Sequence, residues 1–173
     1  MLQGLARLPH GLSVRPARAS DKPFLRKLVD DKYSDLKANA TLSRDQIEHL
    51  MEMQVDAQNK GYGAMHPDAL YFIIEKAGQR IGKLTLGRDG EGARIVDLGF
   101  VAKAQGKGYG QAVVLSILNA CGQSKCPLTV TANLTNIALT AFLTQHGFEI
   151  VDHQPGAAFA LMCWTPTKEA MQS

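Results

Sequence analysis

The run Gln105-Gly106-Lys107-Gly108-Tyr109-Gly110 packs three glycines into six residues, between a strand-like segment and a helix-like one. A strand feeding such a turn and then a helix gathers peptide N–H groups at the helix start, where the macrodipole favours negative charge. Glycine suits the position because a phosphate can approach the backbone closely only where no Cβ intervenes, and because some positions need positive φ. The chemistry this arrangement supports is the binding of a pyrophosphate. It is not a nucleotide P-loop, which needs GxxxxGK followed by Ser or Thr, nor the dinucleotide fingerprint GxGxxG of an early βαβ unit. Here the glycines are Gly106, Gly108 and Gly110, late in the chain and behind a hairpin meander. A glycine-rich corner with no ligand is the plainer alternative.

The surrounding elements follow from periodicity. Leu12-Ser13-Val14-Arg15-Pro16 alternates as a half-buried strand does. Ser20 or Asp21 can cap a helix with Pro23 in its first turn and Phe24, Leu25 and Leu28 on one face, running to about Lys32. A second helix is predicted from Ser43, where Ser43 and Gln46 have capping-box spacing and Ile47, Leu50, Met51 and Val55 form a stripe, ending near Gly61. Strands over Leu70 to Ile74 and Arg80 to Leu86 flank a turn at Ala77-Gly78, and Asp89-Gly90 leads into a third over Arg94 to Phe100. A helix from Gly108 to Cys121 turns Val113, Val114, Ile117, Leu118 and Cys121 to one side, and Pro127 to Ala132 reads as a strand. A helix from Thr135 to His146 stops at Gly147, followed by strands near Phe148 to His153 and Ala158 to Trp164. This order predicts one α/β domain of the α+β type over residues 1–173, with 1–11 a flexible extension.

Bulk properties narrow the field. With 173 residues and 45% hydrophobic content, the chain can bury a core without metals or disulfides. Its net charge of +3 is mild and its basic residues are scattered, which disfavours nucleic acid as partner. Cys121, Cys126 and Cys163 are an odd set without a CxxC pair, and read as reduced packing residues. No metal site is expected. Neither a signal peptide nor a membrane span is apparent, so a cytoplasmic protein is expected.

The stretch from Phe100 to Gln111 resembles the signature of the GCN5-related N-acetyltransferase (GNAT) superfamily, Q or R then xxGxG or xxGxA after the fourth strand, matched by Gln105, Gly108 and Gly110. Thr131 to Phe148 looks like that family's fifth strand, fourth helix and the Gly-Phe entering its sixth strand, and Val14-Arg15-Pro16-Ala17 with Ser20-Asp21 looks like its first strand and helix cap. The resemblance covers most of the chain from Val14 on, while Ala38 to Met65 resembles only the family's variable substrate side. It implies a mixed central sheet of about six to seven strands flanked by helices, acetyl-CoA as co-substrate and a small-molecule or peptide amine as acceptor, and it leaves a homodimer open. It implies that Phe100 and Val101 present backbone groups to the pantetheine and thioester, that Gln105, Gly106, Lys107, Gly108, Tyr109 and Gly110 wrap the pyrophosphate, and that Asn136 lies near the pantetheine arm.

An amine acceptor must lose a proton, since alkylamines have a pKa of about 10. Asp97 is the best-placed carboxylate to take it, directly or through water, its alternative being a pairing role in the sheet. Glu48, His49, Glu52 and His66 are weaker candidates on the substrate side. A backbone N–H around Phe100 or Val101 is expected to stabilise the carbonyl oxygen as it gains charge. Many family members carry a Tyr in the late helix that protonates the departing thiolate, and this chain has Leu143 there. A thiol pKa of about 8.5 makes the thiolate a tolerable leaving group without that acid. Tyr109 is expected to face away from the thiol, and Cys121 and Cys163 to face the core. The rival reading is a non-catalytic acyl-CoA-binding module.

Overall fold

The computed structural model describes residues 5, 7–38, 43, 45 and 69–167, with the backbone alone for 32–38. Seven strands, β1 (Leu12–Pro16), β2 (Leu70–Lys76), β3 (Gln79–Asp89), β4 (Gly92–Phe100), β5 (Leu128–Asn133), β6 (Glu149–Asp152) and β7 (Phe159–Trp164), are joined by helices α1 (Lys22–Ala38), α2 (Tyr109–Gln123) and α3 (Ile137–Gln145). The strands form one mixed sheet in the order β1-β2-β3-β4-β5-β7-β6. Every neighbouring pair is antiparallel except β4 and β5. The fold class and the order of elements match the expectation. The second predicted helix lies outside the described residues, Ser43 and Asp45 apart.

Helix α1 runs to Ala38 rather than Lys32, and neither Gly nor Pro interrupts the sequence between Phe24 and Ala38. Strand β3 is buried without alternation from Ile81 to Leu86, as a central strand covered on both faces must be. One face carries Leu84 and Leu86 and joins the core built on Val113, Val114, Ile117 and Cys121 of α2 with Phe142 and Leu143 of α3. Leu5 and Leu8, in the segment expected as a loose extension, are buried in that same core.

The opposite face carries Arg15, Ile73, Lys83 and Gly99, which stand in register across β1 to β4. Here Asp21, fully buried, accepts from Arg15 Nη1 and Nη2 (both 2.8 Å), from Arg80 Nε (2.7 Å) and from the Arg18 N–H (2.7 Å). Arg15 also donates to Glu75 (2.8 Å). The sequence offered Asp21 only as a cap; its ion pairs with Arg15 and Arg80 join the start of α1 to β1 and to the strand that follows the β2–β3 turn. The Arg15 hydrogen bonds hold the Asp21 carboxyl well below the usual carboxylate range.

Candidate active site

The site begins with a fault in the sheet. Pairing between β3 and β4 jumps from Thr85↔Asp97 to Leu86↔Ile95, leaving Val96 as an extra residue, a β-bulge that bends the strand. Parallel pairing of β4 with β5 covers only Ala93↔Leu128, Arg94↔Thr129 and Ile95↔Val130. Beyond the bulge β4 therefore has no strand partner on that side among the described residues. Since the Val101 N–H donates to Ile81 O (2.9 Å), the antiparallel alternation points the backbone groups of Leu98 and Phe100 away from β3, toward the gap.

At the head of the gap lies the glycine turn. Gly106 and Gly108 have φ of 73° and 81°, the left-handed region, and Gly108 caps α2. The first helical bond beyond it is donated by Ala112 N to Gly108 O (3.1 Å). The N–H groups of Tyr109, Gly110 and Gln111 thus have no partner within the helix and sit at its positive end. They border a cleft of about 300 Å³ lined also by Leu98, Phe100 and Val114 and by Asn136, Leu139 and Phe142.

Gln105, Gly106, Gly108, Tyr109, Gly110, Phe100 and Asn136 all line this cleft. Gln105 spends its amide on the Phe100 carbonyl (3.1 Å), bracing the turn against the end of β4. Asn136 caps α3, its side-chain oxygen accepting from Leu139 N (3.1 Å). Lys107 is exposed beside the cleft. Val101 departs from expectation: its N–H goes to Ile81 O and its carbonyl accepts from Ala104 N (both 2.9 Å), so the backbone groups of Leu98 and the N–H of Phe100 are the ones turned to the gap. Leu98 was legible only through the bulge, which shifts which residues face the gap.

Tyr109 packs its ring near His10 and Phe100, and its hydroxyl takes a hydrogen bond from Lys76 Nζ (2.9 Å). That bond lowers the phenol's pKa from its ordinary value. Leu143 is fully buried in the core. Cys121 is also fully buried, and burial pushes its thiol up to about 12, which leaves no thiolate to act as nucleophile. Glu48, His49, Glu52 and His66 lie outside the described residues. Among the described residues no group of three or more His, Cys, Asp or Glu is placed to hold a metal ion, and no helix is long and apolar enough to cross a membrane.

Asp97 lies on the opposite face of β4 from Leu98, and its Oδ2 is 2.6 Å from the ammonium of Lys83. Lys83 is 4% exposed, in the middle of the apolar run of β3. Sequence reasoning passed it over, although a lysine amid Ile81, Leu84 and Leu86 is itself a signal, because buried lysines are rare unless paired.

A bulged strand with an open edge and a helix N-terminus at the head of the gap makes a site for an anionic ligand that carries amides. The profile of the Acetyltransferase (GNAT) family matches residues 30–148, and the chain belongs to that family. No curated protein matches the sequence. Solved structures with the same fold include PaiA N-acetyltransferase from Thermoplasma acidophilum in complex with coenzyme A (16% identity, 89% of this chain and 98% of that one, TM-score 0.63). A GNAT acetyltransferase from Elizabethkingia anophelis with acetyl-CoA bound (13% identity, 91% and 99%, TM-score 0.57) is similar too. So is a chimera of the spermidine N-acetyltransferase SpeG from Vibrio cholerae and hSSAT (15% identity, 94% and 99%, TM-score 0.60).

Proposed function

We propose that the protein transfers an acetyl group from acetyl-CoA to a primary amine by direct attack, without an acyl-enzyme intermediate. The observation that carries the reading is the open edge of β4 beyond Val96, with unspent N–H groups of α2 at one end and Asp97 at its side. These residues fit the co-substrate. The N–H groups of Tyr109, Gly110 and Gln111 suit a pyrophosphate, and the free edge of Leu98 and Phe100 suits the amides of a pantetheine arm. Acetyl-CoA supplies the activated thioester.

Around it the chain's own groups divide the work. The N–H of Leu98 or Phe100 donates to the carbonyl oxygen as it gains charge. Asp97 accepts the proton the amine gives up, directly or through water, and is the general base. Leu143 donates nothing, so the thiolate leaves unprotonated or takes its proton from water. An acyl-CoA-binding module without turnover is the second reading, and the aliphatic, buried Leu143 is the observation that favours it. A panel of amines incubated with acetyl-CoA separates the two: amine-dependent release of free CoA is expected, and tight binding of acetyl-CoA without release on any amine supports the module.

A further inference from the structure

The face of the sheet opposite the α2–α3 core carries a row of polar residues in its centre. Tyr71, Thr85 and Asp97 stand in register across β2, β3 and β4, and in the adjacent row Lys83 stands opposite Gly99. Lys83 and Thr85 are buried, at 4% and 5% exposure. An ammonium carries three N–H donors. Among the described residues Lys83 Nζ has one polar neighbour, Asp97 Oδ2 at 2.6 Å, and that approach is a contact ion pair without hydrogen-bond alignment. A buried cation left short of partners costs stability unless something else satisfies it. Opposite Lys83, Gly99 presents no side chain, and a Cβ there would lie in ordinary contact with the lysine stem, at 3.7 Å from Cε.

From this pairing we infer that the acceptor bears an anionic group, a carboxylate or its equivalent, close to the amine that is acetylated, and that Lys83 is the residue that selects it. The inference rests on the acyltransferase reading. A zwitterionic acceptor answers the Lys83–Asp97 pair charge for charge, its ammonium on Asp97 and its carboxylate on Lys83. Both charges of the protein then keep a partner while the amine is held at the open edge of β4. A polycationic acceptor finds the opposite: the one carboxylate of this row is already neutralised by Lys83. Lys83 touches the acceptor's anion and takes no part in the transfer, so it governs binding and specificity.

The test compares amino acids with the amines made by their decarboxylation, titrated calorimetrically into the protein saturated with CoA. Binding of the carboxylate-bearing member at least about tenfold tighter is expected, as for one charged hydrogen-bonded contact. In Lys83→Met that ratio falls to near one while CoA affinity is unchanged, and Lys83→Arg retains most of it. The comparison within the unaltered protein needs no variant, so a Lys83→Met chain that fails to fold does not remove the test. Equal binding of the two members, tighter binding of the decarboxylated amine, or binding of neither overturns the inference. Acetylation of the bound amine is read separately, by mass spectrometry; preferential binding without acetylation counts against the transferase reading and leaves the anion preference standing.

Discussion

Asp97 and Lys83 put the chemistry within reach of substitution. Asp97→Asn keeps the shape of the side chain and removes its capacity to take a proton, so kcat at neutral pH should fall by about a hundredfold or more. Acetyl-CoA affinity should not change, and stopped-flow or steady-state assays beside calorimetry check both halves. Unaltered kcat would reduce Asp97 to the counterion of Lys83. Tyr109 gives an independent check on the geometry of the turn. Its phenol titrates below the ordinary tyrosine range because Lys76 donates to it. In Lys76→Met the phenolate should form only at higher pH, a shift seen by ultraviolet difference titration. A titration curve that does not move would contradict the contact. At this scale the sequence was informative where a residue acts alone and silent where it acts in a pair. Gly106, Gly108 and Gly110 announce their backbone role by type. The partnerships of Lys83 with Asp97 and of Lys76 with Tyr109 depend on strand register, which no local pattern encodes.

Among the elements, β4 and α2 carry the site between them. The glycine turn, the helix behind it and the strand before it were legible because each has a local signal: alternation, a cluster of φ-permissive residues and a stripe at helical spacing. The bulge at Val96 was not, because an extra residue in one strand is defined only against its partner. Val101, which the resemblance had facing the ligand with Phe100, binds instead within the sheet and its following turn, because successive strand residues direct their backbone groups to opposite sides. Gly108→Val tests the turn. A Cβ there meets nothing within 4 Å, so any loss does not come from crowding inside the free protein. The valine is strained at a φ of 81° by roughly 1–2 kcal/mol, and its branches cover the amides that phosphate approaches. A melting temperature lower by a few degrees and a CoA dissociation constant raised more than about tenfold are expected. An unchanged dissociation constant would detach CoA from this turn.

For the molecule as a whole, the buried Asp21 is where sequence and structure differ most in consequence. A residue that reads as a helix cap is the centre of an ion-pair network joining the start of α1, β1 and β3. Asp21→Asn removes the buried carboxylate that Arg15 and Arg80 share, leaving Arg15 with Glu75 alone, and should lower stability by about 1–3 kcal/mol. The Asp21 carboxyl is depressed in the folded state, so its contribution is complete above about pH 4, the unfolded value, and is lost as pH falls toward the native one. The parent protein should therefore lose stability on acidification below about pH 4 more steeply than Asp21→Asn, as chemical denaturation across that range would report.

The central claim is acetyl transfer from acetyl-CoA to an amine across the open edge of β4. It is tested most directly by following free CoA thiol, in the presence of acetyl-CoA, as amines are added one at a time, with the product identified by mass. The account predicts thiol release that depends on the amine and equals the acetylated amine formed. Firm binding of acetyl-CoA with no amine-dependent release would contradict it.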